Sequence, residues 1–363
     1  MADRAIGQNV QSTPAAIAAT LTIRRSWHSP TLTGQVMTTL RYPIRFVLFS
    51  VALLLSGCDL LVLNAPGDVA RQQGDLVVTA TLLMLLIIVP VIALTGLFAW
   101  RYRATNKEAT YKPDWDHSTQ LELLIWAAPL LIVIALGAIT WITTHTLDPY
   151  RPIDRIKPGV PVADDVEPLV IEVVSLDWKW LFFYPEQGIA TVNEIAAPID
   201  HPVKFKLTSA TVMNAFYIPA FAGMIYTMAG METQVHGVIN AEGIYDGFSS
   251  HYSGAGFSHM RFKFKGVSES GFDEWVAQVK GSDKALSEEE YLQLAQPSER
   301  EPVHYYASVA PDLYHDILNM CVKPGSMCMD EMMMMDGGHM PRPDQDTYDV
   351  DHHHSKFDDL EQH

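Results

Sequence analysis

Two long apolar runs constrain this chain more than any other feature. Leu76 to Trp100 reads LVVTATLLMLLIIVPVIALTGLFAW, long enough as a helix to cross roughly 30 Å of hydrocarbon with some tilt. Pro90 stands at its middle and predicts a kink. A second run, from Leu121 to Thr144, carries Trp126 near its start and Trp141 near its end. Between them lie Arg101, Arg103, Lys107 and Lys112, and cationic loops stay on the cytoplasmic side. The expected unit is therefore a transmembrane hairpin over 76–148 with a cytoplasmic loop at 101–120, and the segments on either side of it face outward.

Ahead of the hairpin, residues 1–36 have no hydrophobic run and read either as an overlong start or as a poorly ordered extension. Met37 to Cys58 has the layout of a signal peptide: Arg41 and Arg45, the apolar run Phe46 to Leu55, then small residues. Leu55-Ser56-Gly57-Cys58 resembles a bacterial lipobox, which implies cleavage at 57, acylation of Cys58 and a short outward-facing segment over 58–75. Otherwise Cys58 is an ordinary buried thiol. Asp59 looks like an inner-membrane retention mark.

After the hairpin, residues 149–167 carry Pro149, Pro152, Pro158 and Pro161 and read as an extended linker. From 168 to 268, stretches such as HPVKFKLTS and HMRFKFKG alternate apolar with polar residues, as half-buried strands do. Gly and Pro punctuate them at short intervals, which favours a β-sandwich. Residues 269–321 include GFDEWVAQVK and LSEEEYLQLA, short amphipathic helices. From 322 to 363 the chain is Met-, His- and Asp-rich, and such a composition predicts disorder. With 25 Lys and Arg against 42 Asp and Glu, a formal charge of −17 argues against nucleic acid as a partner, since phosphate neutralisation needs clustered cations.

The stretch Ser209 to Gly266 contains SATVMNAFYIPA and GAGFSHM. It resembles the copper-binding part of subunit II of the haem-copper respiratory oxidases, a cupredoxin-type sandwich. Aligned on those motifs, the upstream copper-ligating His falls at Asn214, the two Cys at Ser249 and Ser253, the loop His at Phe257 and the Met at Met260. The Glu that lends a backbone carbonyl falls at His251. Copper needs thiolates and imidazoles. A seryl hydroxyl cannot bridge two coppers and a phenyl ring cannot ligate one. Met260 alone reads as a core methionine, and no metal is expected in the folded domain.

Loss of the ligands within a retained frame resembles the copper-less subunit II of cytochrome bo-type ubiquinol oxidases, whose donor is a lipid-soluble quinol. The segment PSEREPVHYYASVAPDLYHDILNMC resembles the C-terminal arm of that branch. The resemblance implies a membrane-anchored α+β chain: a helical hairpin, a periplasmic cupredoxin-like sandwich and a short helical arm. It also implies a bacterial inner-membrane location and a role in a complex that oxidises quinol, reduces oxygen and pumps protons. Subunit I, which would hold the haems and copper, the smaller membrane subunits and membrane lipid are the implied partners, with ubiquinol used by the complex; this chain would carry no cofactor.

The same resemblance implies that Glu122, followed by Trp126 and Pro129, guards a proton entrance on the cytoplasmic side. Position alone would make it a hydrated interfacial carboxylate, although carboxylates within apolar spans are usually functional. Trp178 and Trp180 in Asp177-Trp178-Lys179-Trp180 match the aromatic signature that opens the family's sandwich, and docking onto the large subunit is expected of them; core packing is the other reading. A reading of another class is a membrane-tethered cupredoxin-fold lipoprotein that binds or delivers copper through its tail. That tail holds Cys321, Cys328, Met327, Met329, Met332 to Met335, His339, Met340 and His352 to His354, a set that suits copper. Alternatively, Cys321 and Cys328 form a disulfide.

Overall fold

Asp68-Val69-Ala70-Arg71-Gln72-Gln73 is polar but contains no helix breaker, and the first helix begins there rather than at Leu76. A computed structural model describes residues 61–335 except Tyr111, together with Ser50. The rest of the signal-like run, Cys58 and everything beyond Met335 lie outside the described residues. Helix α1 spans Asp68–Arg101 (34 residues) and α2 spans Thr119–Thr146 (28 residues). At about 1.5 Å per residue α1 is about 50 Å long, more than hydrocarbon alone requires. Both helices run on through their prolines, Pro90 and Pro129. Their apolar side chains stay exposed, as Leu123 (71%) and Trp126 (76%) illustrate.

The extra turns of α1 have a purpose that composition did not disclose. Asp68, Ala70 and Gly74 are buried. Arg155 donates to Asp68 through Nε at 2.8 Å. The amide of Gly67 donates to the Ala220 carbonyl at 2.9 Å, and a Cβ on Gly67 would sit 2.7 Å from that oxygen. Of the outward-facing segment expected over 58–75, the part from Asp68 onward is thus the foot of α1, packed with Gly67 against the β-domain.

The linker also departs from expectation. Strands β1 (Arg155–Lys157) and β2 (Val160–Pro161) pair antiparallel across Pro158-Gly159, with Gly159 at φ 79°. Proline followed by a glycine at positive φ is a turn pair, so the middle of 149–167 folds back on itself.

The sandwich follows, built of β3 (Leu169–Leu176), β4 (Lys179–Tyr184), β5 (Ile189–Val192), β6 (Glu194–Pro198), β7 (Val203–Ser209), β8 (Asn214–Tyr217), β9 (Ile225–Thr227), β10 (Thr233–Gly237), β11 (Gly243–Ser249) and β12 (Arg261–Val267). The arm adds α3 (Glu269–Lys280), β13 (Ala285–Leu286), α4 (Glu288–Leu294), β14 (His304–Tyr306), β15 (Ser308–Val309), α5 (Leu313–Leu318) and α6 (Met329–Met335). One sheet has the order β10-β7-β3-β4-β5-β14, the other β6-β12-β11-β8-β9. Side-chain oxygens of Ser268 and Ser287 cap α3 and α4 by accepting from the Gly271 and Glu290 amides, and the acidic run 288–290 suits a helix N-terminus.

The arm is not the purely helical appendage that its periodicity suggested. Strand β14 completes the six-stranded sheet, pairing Tyr305 with Thr191. Strand β4, Lys-Trp-Leu-Phe-Phe-Tyr, is buried along its whole length. Trp180, Phe182 and Tyr184 enter the core between the sheets, while Leu181 and Phe183 enter a second core beneath the arm. A strand covered on both faces reads as a continuous apolar run rather than an alternating one.

The tail is ordered further than its composition predicts. Val322 is buried in the second core, Cys321 and Cys328 are joined by a disulfide, and α6 follows. Burial and a covalent closure order residues 322–335 despite their low complexity. His339, Met340 and His352 to His354 lie outside the described residues.

Candidate functional site

The loop that carries copper in the copper-bearing relatives is formed here by the start of β8 and the turn from β11 to β12. Asn214 (1% exposed) and Ser249 (3%) face each other in the interior, with Ser249 Oγ donating to Asn214 Oδ1 at 3.2 Å. The Ser249 amide donates to the Met260 carbonyl at 3.1 Å. Behind them, Asn214 O accepts from Thr227 Oγ1 at 3.4 Å, and Thr227 Oγ1 also meets Ser175 Oγ at 2.8 Å. The structure thus gathers Asn214, Ser249 and Met260 into one neutral cluster. Met260 is fully buried as core.

The remaining positions do other things. Phe257 opens a 3-10 turn and packs edge-on against Tyr252 at 5.6 Å. His251 stands edge-on to Tyr226 at 5.9 Å, and its carbonyl accepts from Ser249 Oγ at 3.2 Å. Ser253 presents its carbonyl to Trp178 Nε1 at 3.0 Å, while its own Oγ is buried without a hydrogen-bond partner among the described residues. These residues do not fit a copper centre: of the positions that would supply ligands, only a thioether remains, and the Ser249 hydroxyl and the Asn214 amide are spent on one another.

The two tryptophans part company. Trp180 is completely buried, edge-on to Phe216 at 5.4 Å and to Phe262 at 5.7 Å. It is therefore a core residue, and the docking role expected for it is corrected, because a ring enclosed between two sheets reaches no partner. Trp178 is half-buried at the β3–β4 turn with φ 66°, a conformation that costs a non-glycine residue about 1–2 kcal/mol. Its ring lies against Gly256, where a Cβ would come within 2.4 Å of Cδ2. With the Nε1 bond to Ser253, this packing holds the turn in place, so Trp178 braces the vacated loop.

Sequence reasoning missed the neighbour between them. Lys179 is 1% exposed, and its Nζ donates to the carbonyls of Leu294 (2.7 Å) and Gln296 (2.8 Å), with Glu301 at 4.0 Å. Burial lowers its pKa, against the opposing pull of Glu301 and Asp177. A lone cation at the head of an apolar strand was the available signal. Glu194 is a second knot: its Oε1 accepts from Lys265 Nζ (2.7 Å), Trp275 Nε1 (3.2 Å) and Tyr305 Oη. Burial alone would raise its carboxyl, but these donors and the Lys265 charge outweigh it and hold the pKa below the usual range. Both charges bind the arm to the sandwich.

Glu122 lies exposed in the first turn of α2, and the described residues bring no other site residue to it. Cys58 lies outside them.

Comparison with known proteins agrees with this architecture. Residues 169–267 match the family model for the periplasmic domain of cytochrome c oxidase subunit II, and residues 280–325 match the COX aromatic rich motif. The fold and these two matches thus define an oxidase subunit II. The cytochrome bo(3) ubiquinol oxidase subunit 2 of Pseudomonas aeruginosa is 51% identical over 275 residues, covering 76% of this chain and 80% of that protein. The ubiquinol oxidase subunit 2 of Acetobacter aceti is 47% identical over 269 residues, covering 74% and 85%. This chain belongs to the ubiquinol oxidase subunit 2 family. Among solved structures, the periplasmic domain of subunit II of cytochrome oxidase from Bradyrhizobium japonicum aligns with 24% identity and a TM-score of 0.30, covering 32% of this chain and 94% of that one.

Proposed function

We propose that this chain is the non-redox subunit II of a proton-pumping ubiquinol oxidase, a complex that oxidises quinol and reduces oxygen to water. The observation that carries the reading is an intact sandwich whose copper positions are filled by Asn214, Ser249, Ser253 and Phe257, hydrogen-bonded or packed into the fold. An electron relay has no seat in it, and a quinol donor needs none. The chain then contributes scaffold and anchor, holds no cofactor, and leaves haems and copper to subunit I, with the smaller membrane subunits and lipid as further partners. The copper-carrier alternative loses its tail thiols to a disulfide.

The location follows from the same reading: bacterial inner membrane, α1 and α2 spanning it, the loop 101–120 in the cytoplasm and the β-domain in the periplasm. Glu122 then stands at the cytoplasmic end of α2, where a carboxylate can take up and pass on a proton while an amide of similar shape cannot. Acylation of Cys58 would add an anchor beside the helices at about 0.8 kcal/mol per buried methylene.

Isolation of the chain in mild detergent, with a haem spectrum and oxygen-uptake assay of what accompanies it, tests the reading. A haem-containing quinol oxidase is expected, and a haem-free monomer would overturn it. In the assembled complex, Glu122→Gln is expected to slow turnover with haem content unchanged, and Glu122→Asp to recover part of it; unchanged turnover leaves Glu122 an interfacial carboxylate. Intact mass decides whether the mature chain begins at an acylated Cys58.

A further inference from the structure

The densest group of soft ligand atoms among the described residues lies where the arm ends, away from the vacated loop. Helix α5 closes in a Schellman-type turn: Met320 takes φ 58°, its amide donates to Ile317 O at 3.1 Å, and the Cys321 amide donates to Asp316 O at 2.8 Å. This backbone arrangement by itself carries Cys321 over Asp316, whose Oδ1 is 3.8 Å from Cys321 Sγ. The chain then returns. The Met329 amide donates to Asn319 O at 3.0 Å, and Asp330 Oδ2 meets His315 Nε2 at 3.1 Å. Those two contacts place Cys328 beside Cys321 independently of the sulfur–sulfur bond. Both sulfurs and an Asp316 carboxylate oxygen lie within 4.8 Å of one another, and His315 Nδ1 is 3.4 Å from Asp316 Oδ1.

We propose that this end of the arm is a thiol–disulfide switch whose reduced form holds one thiophilic d10 cation, Zn(II) or Cu(I), on Cys321, Cys328 and Asp316. Opening needs a dithiol reductant of the thiol–disulfide oxidoreductase class. Its thiolate attacks one sulfur to give a mixed disulfide, and its second thiol displaces the protein from it. The reductant supplies two electrons and becomes a disulfide; two protons end on the protein thiols. The cation takes the two thiolates and releases those protons. On a tetrahedral ion with bonds of about 2.3 Å, two thiolates sit about 3.7 Å apart. Side chains running parallel from Cα atoms 4.7 Å apart would hold the sulfurs at about the Cα separation, so a slight inward tilt at χ1 brings them to that spacing.

The switch has a structural consequence. Either the disulfide or the bound ion adds a clip from residue 321 to 328 to the Met329–Asn319 backbone contact that already keeps Met329 over Gly230, where its Sδ lies 3.2 Å from the position of an added Cβ. The reduced, metal-free form has neither clip.

The test uses the full-length chain in detergent, carrying Cys58→Ser so that only two thiols count. The protein is reduced with a phosphine, desalted without oxygen and titrated with Co(II) as a spectroscopic probe, which Zn(II) then displaces; Cu(I) is titrated in parallel against a chelator of known affinity. One cation per reduced chain is expected, with thiolate-to-cobalt charge-transfer absorption, and no such uptake by the oxidised chain. The oxidised chain also accounts for ions held by the tail histidines and thioethers. Cys328→Ser is expected to abolish the uptake. Asp316→Asn, which keeps both thiols and the disulfide and so is informative even if Cys328→Ser misfolds, is expected to weaken it at least about tenfold. Equal uptake in both redox forms, no thiol-dependent uptake of either ion, or uptake indifferent to Asp316→Asn would each overturn the proposal.

Discussion

The turn from β3 to β4 serves two regions that handle polarity in opposite ways. Trp178 points to the vacated loop, where Asn214, Ser249 and Ser253 are neutral, Ser249 and Asn214 hydrogen-bond to each other and the Ser253 carbonyl accepts from Trp178 itself. Lys179, the next residue, points to the arm, where a buried ammonium meets carbonyls and a carboxylate from the arm. A former metal site can lose its ligands cheaply if small neutral groups satisfy one another, whereas a buried charge must keep every partner. The loop is therefore the replaceable region and the arm interface the committed one.

The largest change is expected where the loop is asked to become a metal site again. Asn214→His, Ser249→Cys, Ser253→Cys and Phe257→His together are expected to take the purified protein from no stoichiometric copper to a copper pair with near-infrared mixed-valence absorption. The frame is intact and only ligands are missing. Stoichiometric copper in the unaltered β-domain would contradict the comparison outright.

On the arm side, Lys179→Ala leaves the Leu294 and Gln296 carbonyls without their donor and takes away a charge 4.0 Å from Glu301, which keeps Ser298 and His304. A loss of about 3–5 kcal/mol is expected, read as a lower denaturation midpoint in detergent. Protease cleavage within 287–301 is expected before the sandwich unfolds. Unchanged protease resistance would mean that the arm is held by apolar packing alone.

Glu172 sharpens the contrast through pH. With Tyr314 it lines a cavity of about 350 Å³ between the sheet and the arm, and the charges of Lys206 and Glu232 act on it. Burial pushes its pKa up to about 7, with Lys206 pulling down and Glu232 pushing further up. A carboxyl raised in the folded state favours the protonated fold, so its stabilising effect is complete below the unfolded value near 4.5 and is lost as pH rises through about 7. Glu172→Gln is expected to raise the melting temperature at pH 8, by an effect of at most about 3 kcal/mol, and to leave it unchanged at pH 4. A constant difference between the two pH values would show that the carboxyl titrates alike in the folded and unfolded states.

The smallest effect belongs to the loop again. Ser249→Ala removes the hydroxyl from Asn214 and from the His251 carbonyl and is expected to cost about 1 kcal/mol in thermal denaturation. A loss as large as that of Lys179→Ala would erase the distinction between the regions.

Much of this was legible in residue identities. Met260 could be assigned to the core because one thioether without thiolates or imidazoles holds no copper. The KWLFFY strand was only half legible: its residues announce burial, but nothing local says that Leu181 and Phe183 meet the arm while Trp180 and Phe182 meet the other sheet. The docking role read for Trp180 failed for that reason. Val322 and the Cys321–Cys328 bond order a stretch whose composition alone argues for disorder.

By itself, the sequence determined the pair of membrane-length helices and the lack of a copper ligand set in the loop of the sandwich, because hydrophobicity and ligand chemistry belong to a residue wherever it lies. Tertiary structure alone decided which charges are buried and what holds them. Lys179 meets an oxygen 115 residues further along the chain, Glu194 meets Tyr305 111 residues away and Asp68 meets Arg155 across 87. Such pairings depend on how the sheets and the arm close in space, and no local pattern of residue types encodes the partner.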